Sequence, residues 1–460
     1  MSFTQWQTFY KQLENDIKSN KYTFSEVMSL DKINPAIKQR FPNLISFILS
    51  HYKELIDSAV SKEDNDIVNA QSLSILLEND HIKAMLSKNQ DSINYLIQKI
   101  GSNSVNESHL LMILKGIIEL SNGIILSDIQ EPAKFLKMII GKIDNIHYYD
   151  FLVRLFNDPI FGYIKNWLDC LKADVYLYEL IGYPEIFMRR AFVLLSYFIK
   201  YIKHSKSNLD RIFNEKKISE IIDIILNAPT MELANSGLNY ILLLSKSFTF
   251  EEIEPLIPIL EDKLSDFILY IKKDDKFFED KKYLMGIITF IIGTKDEIDN
   301  DVYDFIVYFF NKFINTYTNS FLHLSFFELF KVLYKFETSF CLFISKNDIM
   351  NVLLDKLDNR YKINACFWGQ INGMISYINV LVKKGKLETT ERWTKYIDGV
   401  FAQRNAIIEK KDEEATKLIS DNIICYLPFK CDAEEEEESS SSSDLESEDD
   451  EMDFEEEEED

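Results

Sequence analysis

Residues 319–336 read Asn319-Ser320-Phe321-Leu322-His323-Leu324-Ser325-Phe326-Phe327-Glu328-Leu329-Phe330-Lys331-Val332-Leu333-Tyr334-Lys335-Phe336. Phe326, Phe327, Phe330, Val332, Leu333 and Phe336 recur at the spacing that lays one apolar stripe along a helix. A second run begins at Phe367-Trp368-Gly369-Gln370-Ile371-Asn372-Gly373 and continues through Ile375, Ile378, Val380, Leu381 and Val382. A third, Arg392-Trp393-Thr394-Lys395-Tyr396-Ile397-Asp398-Gly399-Val400, leads to Arg404-Asn405. Helix follows helix here, with little loop between.

The rest of the chain reads the same way. Of its 460 residues 46% are hydrophobic, and 34 Phe with 23 Tyr make the expected core aromatic-rich. Only 13 Gly and 9 Pro punctuate it, too few for the frequent turns of a strand-rich fold. The first helix carries Trp6, Phe9, Tyr10 and Leu13. Thr23-Phe24-Ser25-Glu26 fits a capping box, in which hydroxyl and carboxylate satisfy free backbone N–H groups reciprocally. Asn34-Pro35 reads as an amide cap with proline in the first turn, and Pro42 opens a further helix. Apolar stretches such as Leu180 to Tyr201, Met231 to Ser245 and Ile253 to Tyr270 bring the count to about fifteen helices. No repeat is legible residue by residue, which excludes tetratricopeptide and ankyrin arrays. The expectation is an all-α, irregular HEAT/armadillo-like helical-repeat solenoid over residues 1–430, stacking pairs that cannot bury their apolar faces alone.

The charge is unevenly spread. The net charge is −24, from 51 Lys and Arg against 75 Asp and Glu. Residues 432–460 hold 19 of those acids and no base, so the remainder is nearly balanced at −5. Without a basic face, sequence-independent nucleic-acid binding is not expected. Residues 431–460, with Glu434 to Glu438, Ser439 to Ser443 and Glu455 to Asp460, read as a disordered acidic tail. Within it Ser441, Ser443 and Ser447 each precede an acid by three residues, which resembles the acidophilic pattern of casein kinase II. Cys170, Cys341, Cys366, Cys425 and Cys431 are widely spaced, form no CxxC pair and read as reduced thiols. The first 20 residues carry no signal-peptide pattern. The most apolar stretch, Tyr283 to Gly293, falls short of the ~20 residues a membrane span needs. A protein of the cytoplasm or of cytoplasm and nucleus is therefore the expectation.

Several elements together resemble the SAPS domain, the region shared by regulatory subunits of protein phosphatase 6. Asn319-Ser320-Phe321-Leu322-His323 is similar to that family's Asn-x-Phe-Leu-His element. The Gly-containing run at Trp368 to Gly373 and the Trp393-x-x-Tyr396 segment are similar to its later elements. Nearer the N-terminus, Tyr22 to Val27, Leu44 to Phe47, Leu55 to Asp57, Asp150 to Leu155 and Trp167-Leu168 also match in order. Lys281-Lys282-Tyr283-Leu284 departs from the family, which has Gly and Arg-Leu-Lys there. The resemblance implies a non-catalytic scaffold binding a phosphatase-6-type catalytic subunit, and it leaves open an ankyrin-repeat third subunit. The reading from another class is a transport or histone-binding adaptor of armadillo type, with the acidic tail shielding basic cargo.

No phosphate loop, nucleophile elbow or HExxH motif occurs, and the six histidines lie far apart, so no catalytic residue, metal or cofactor is expected. The candidate partner contacts are Arg189, Arg190, Asn319, His323, Trp368, Asn372 and Trp393. Large aromatics and arginine dominate interface hot spots. Packing between helices is the competing role for each aromatic and amide, and a solvated edge for the arginines.

Overall fold

The computed structural model describes residues 3–403, apart from 20, 31–32, 64–65, 158–161 and 203. Among them no strand occurs; the one β-type pairing is an isolated bridge between Ser61 and Val105. The chain divides after Lys295 into two compact units. The acidic tail, its three serines, Arg404, Asn405, Cys425 and Cys431 lie outside the described residues.

In the first unit one series of helices forms a ladder. Ile67–Glu78, Glu107–Leu120, Ile146–Asn157, Glu185–Ile199, Met231–Lys246 and Glu279–Thr294 each pack on the next, and their starts lie 39 to 48 residues apart. That is the period of a HEAT or armadillo repeat. Polar side chains tie successive repeats at the same interval. Glu107 accepts hydrogen bonds from Lys142 at 2.7 Å, Asn145 at 3.0 Å and Tyr148 at 2.9 Å. Further along, Arg211 Nε donates to Asp174 at 2.6 Å, Thr230 Oγ1 to Glu185 at 2.5 Å and Lys263 to Asp223 at 2.7 Å. The repeat is one of position, carried by different residues each time.

Caps explain where these helices start. Thr23 and Glu26 form the capping box expected of them, and Asn106, Asn214 and Thr230 cap three more starts with their side-chain oxygens. Pro42 stands at the first position of its helix, as expected, but Asn34 does not cap. Its helix already begins at Ile33, and the Asn34 amide instead donates to Ser74 Oγ at 2.8 Å.

There are 27 α-helices among the described residues, many more than fifteen, because long apolar stretches break. Gly182, at φ 106°, and Pro184 delay the expected Leu180 helix until Glu185. Pro255 and Pro258 each lack a backbone N–H, and Ile253–Tyr270 falls into short pieces around them.

The second unit is built on Asn300–Asn315, Ser320–Leu333, Glu337–Lys346, Ile349–Asp358 and Trp368–Lys383, closed by Glu391–Tyr396 and a π-turn to Phe401. Asn319 caps the Ser320 helix through Leu322 N at 3.0 Å, so the opening Asn-x-Phe-Leu-His run is a helix start. Ser320–Leu333 and Trp368–Lys383 run parallel in contact, His323 meeting Phe367 and Phe330 meeting Tyr377. Gly373 permits this approach: a Cβ there would lie 2.5 Å from Phe327 Cζ.

Candidate partner-binding surfaces

The expected contacts fall into a buried set, an arginine pair and the half-buried helix cap Asn319. Trp368 is 3% exposed, Trp393 1%, and His323 and Asn372 fully buried. No partner reaches these side chains while the helices stay packed. They shape the surface from beneath it.

His323 sits at the centre of the buried set. Its ring stands edge-on to Phe313 at 5.4 Å and to Phe367 at 5.0 Å, and Phe367 in turn packs on Trp368 at 5.0 Å. The Thr316 carbonyl, 2.5 Å from Nε2, can only accept, so Nε2 carries the proton. Nδ1 is then the acceptor for the Cys366 thiol at 3.1 Å. Burial holds the imidazole below its usual pKa, against the pull of the Thr316 carbonyl, and burial raises the Cys366 thiol. Both are therefore neutral partners near pH 7. The pair pins the 316–317 turn to the 366–367 turn, alongside the backbone bond from Cys366 N to the Tyr317 carbonyl at 2.9 Å.

Asn372 is spent within its own helix. Nδ2 donates back to the Trp368 carbonyl at 2.6 Å, while Oδ1 is buried without a partner. Trp393 has its indole N–H buried without an acceptor, and its helix start is capped by Thr390. Among the described residues no group of three His, Cys, Asp or Glu is placed to hold a metal ion. The free cysteines among them are Cys170, Cys341 and Cys366.

In the first unit the two arginines part company. Arg190 Nη1 donates to the carbonyls of Ile143 at 2.6 Å and Asp144 at 2.7 Å, and its guanidinium lies 4.6 Å from the Tyr149 ring centre. It closes the open carbonyls of a turn and ties two repeats. Arg189, half-buried beside it, engages no carboxylate among the described residues. The loop from Gly101 is likewise occupied: Asn106 N donates to the Val60 carbonyl at 2.7 Å, and Lys62 reaches the Asn103 carbonyl. That loop, Gly101 to Ser108, and a second, Asp158 to Lys165, are the ones expected from sequence to line a gripping face. Of the second, residues 158–161 lie outside the described residues, and Gly162 to Lys165 is the first turn of the helix Gly162–Cys170.

A surface that the sequence reading missed begins at Tyr317, whose carbonyl accepts from Cys366 N. Tyr317, 38% exposed, has Lys356 Nζ 5.0 Å from its ring centre and 3.3 Å from its hydroxyl. Tyr361 is 85% exposed and carries the Arg360 guanidinium 4.7 Å from its ring centre. Lys362 is exposed next to it. Lys356, Arg360 and Lys362 meet no carboxylate among the described residues. The nearby Asp355 and Asp358 are taken by Arg392, 2.7 Å from each. The sequence signal was Arg360-Tyr361-Lys362 itself, a basic and aromatic triplet outside any apolar stripe.

No helix among the described residues is long and apolar enough to cross a membrane. No protein-family model matches the chain, and no curated protein does. Among solved structures it is similar to one titled "Crystal structure of Uso1-2", with a TM-score of 0.47 and 8% identity over 91% of this chain and 70% of that one, a likeness that carries no functional argument.

Proposed function

We propose that this chain is a non-catalytic scaffold that binds and targets a phosphatase-6-type serine/threonine phosphatase catalytic subunit. What supports the reading is the SAPS-like run at Asn319 to His323 and Trp368 to Gly373, whose residues define the shape of one helix pair, His323 against Phe367 and Gly373 against Phe327. Such a catalytic subunit brings its own metal site, so its partner needs to supply only surface. An array of stacked helical repeats provides that surface over many helix ends. Arg189 is the best charged contact, since Arg190 is already committed to two carbonyls.

Calorimetric titration of the full chain with such a catalytic subunit tests this. Arg189→Glu is expected to weaken binding at unchanged melting temperature, and Trp368→Ala to weaken it together with a lower one. Well-folded protein that binds nothing up to micromolar concentration removes this reading. The second reading, an adaptor whose tail shields basic cargo such as histones, is favoured by the 19 acids of residues 432–460 and would then take its place.

A further inference from the structure

Among the described residues of the second unit several cations meet no carboxylate, Lys335, Lys346, Lys383, Lys384 and Lys395 included. Lys356, Arg360 and Lys362 are the ones gathered beside Tyr317 and Tyr361. The chain also carries a segment with acids and no bases. We propose that residues 432–460 dock in cis on the basic, aromatic rim formed by Tyr317, Lys356, Arg360, Tyr361 and Lys362.

Three observations carry this. The first is charge: Arg392 bridges the exposed Asp355 and Asp358, so that with Lys356, Arg360 and Lys362 the cluster of four cations and two carboxylates keeps a net charge of +2. The second is chemistry. Lysine and arginine stacked over Tyr317 and Tyr361 hold their donors in place, and a run such as Glu434 to Glu438 offers carboxylates to several at once. Phe454, between Asp453 and Glu455, supplies an aromatic ring that suits an exposed tyrosine surface.

The third is reach. Arg392 touches the rim's own helix, and Gln403, the last described residue, follows eleven residues later in helical backbone. At 1.5 Å per residue that point lies about 17 Å along the chain from Arg392. The 28 residues between Gln403 and Asp432 can span up to roughly 90 Å when extended, so the segment reaches the rim without strain. Local concentration in cis then favours this occupant over an acidic partner in trans. Phosphates on Ser441, Ser443 or Ser447 would each add roughly −1.5 to −2 charge and tighten the contact.

Carbodiimide cross-linking of the full chain tests the proposal, because the segment has no lysine and its carboxylates can be joined only to amines elsewhere. Mass spectrometry on an equal mixture of light and heavy isotope-labelled protein separates links within a chain from links between copies. The expected result is same-chain links from residues 432–460 to Lys356 or Lys362. They should disappear at 1 M salt, where the Debye length falls to ~3 Å from ~10 Å at 0.1 M. They should also disappear when Glu434 to Glu438 are all changed to Gln, and fall severalfold in R360E/Y361A, which keeps both lysines and alters one half-buried and one exposed side chain, an unchanged melting temperature confirming the fold. Links only between copies, links to other lysines with Lys356 and Lys362 untouched, or no links at all would each overturn it.

Discussion

The two units bury different chemistry. Among the described residues fourteen aromatic side chains are buried in the first unit, against thirteen in the much shorter span from Phe305 to Phe401 of the second. The first unit is an aliphatic ladder, Ile and Leu between rungs, tied every forty residues by a polar bond. The second is an aromatic knot in which Phe326 alone meets Phe309, Phe310, Phe313 and Phe330 within 6.3 Å. Aliphatic side chains adjust by changing rotamer, whereas interlocked rings move only together. The ladder therefore depends on its polar register and the knot on its shape.

The largest expected effect tests the knot. Phe326→Ala should cost about 3–5 kcal/mol, because four ring neighbours cannot close on the vacancy. Leu238→Ala in the first unit should fall at the lower end of the ~2–5 kcal/mol usual for such truncations. Amide hydrogen exchange, read separately in each unit, measures both. Equal losses would erase the distinction.

The next tests the ladder's register. Asp174 is 1% exposed and holds Arg211 at 2.6 Å, with Asp174 Oδ1 and Arg211 Nη2 lacking further partners. Arg211→Met strands a buried carboxylate and should cost about 3 kcal/mol, whereas Asp174→Leu with Arg211→Met should recover most of the loss. A double variant as unstable as the single one would mean the tie contributes more than charge balance.

A third, of about 1–3 kcal/mol, sets one glycine against another. A Cβ at Gly373 meets the rigid Phe327 ring at 2.5 Å. At Gly286 it meets only the Leu242 methyls, at 2.9 and 3.0 Å, which can swing aside. Gly373→Ala should lower the melting temperature, while Gly286→Ala should be near neutral, its steric cost offset by the helix preference for alanine.

The helical class and many starts were legible in the sequence because periodicity and caps are local. The capping box at Thr23 and the proline at Pro42 each act within four residues, whereas the amide cap expected at Asn34 proved to sit inside its helix. The forty-residue repeat was hidden for the opposite reason. Its ties join Glu107 to Tyr148, Asp174 to Arg211 and Glu185 to Thr230, so the interval recurs but the residue types do not. Burial misled the site reading as well. Trp368, Trp393, Asn372 and His323 look like recognition residues by type, yet all lie inside, while Lys356 and Arg360 become prominent only once Arg392 has drawn off their acidic neighbours.

The smallest expected effect concerns His323 and is visible only through pH. Its imidazole is neutral in the fold, with Nε2–H donating to Thr316 and Nδ1 accepting from Cys366. Burial lowers its pKa, so the unfolded chain binds the proton first as the pH falls. The stabilising contribution is therefore complete above the unfolded value of about 6.5 and is lost as the pH drops below it, levelling off beneath the folded pKa. The carboxylates held below their usual values, Glu26, Glu107 and Glu252, lose their contributions only in the acid range under about 4.5, clear of this window. His323→Gln keeps an amide in reach of the Thr316 carbonyl but removes the titration. The melting temperature of the natural chain should thus fall faster than that of the variant between about pH 7.5 and pH 5. Parallel curves would show that the imidazole takes up its proton inside the knot as readily as outside it, and that the aromatic unit is softer than its packing implies.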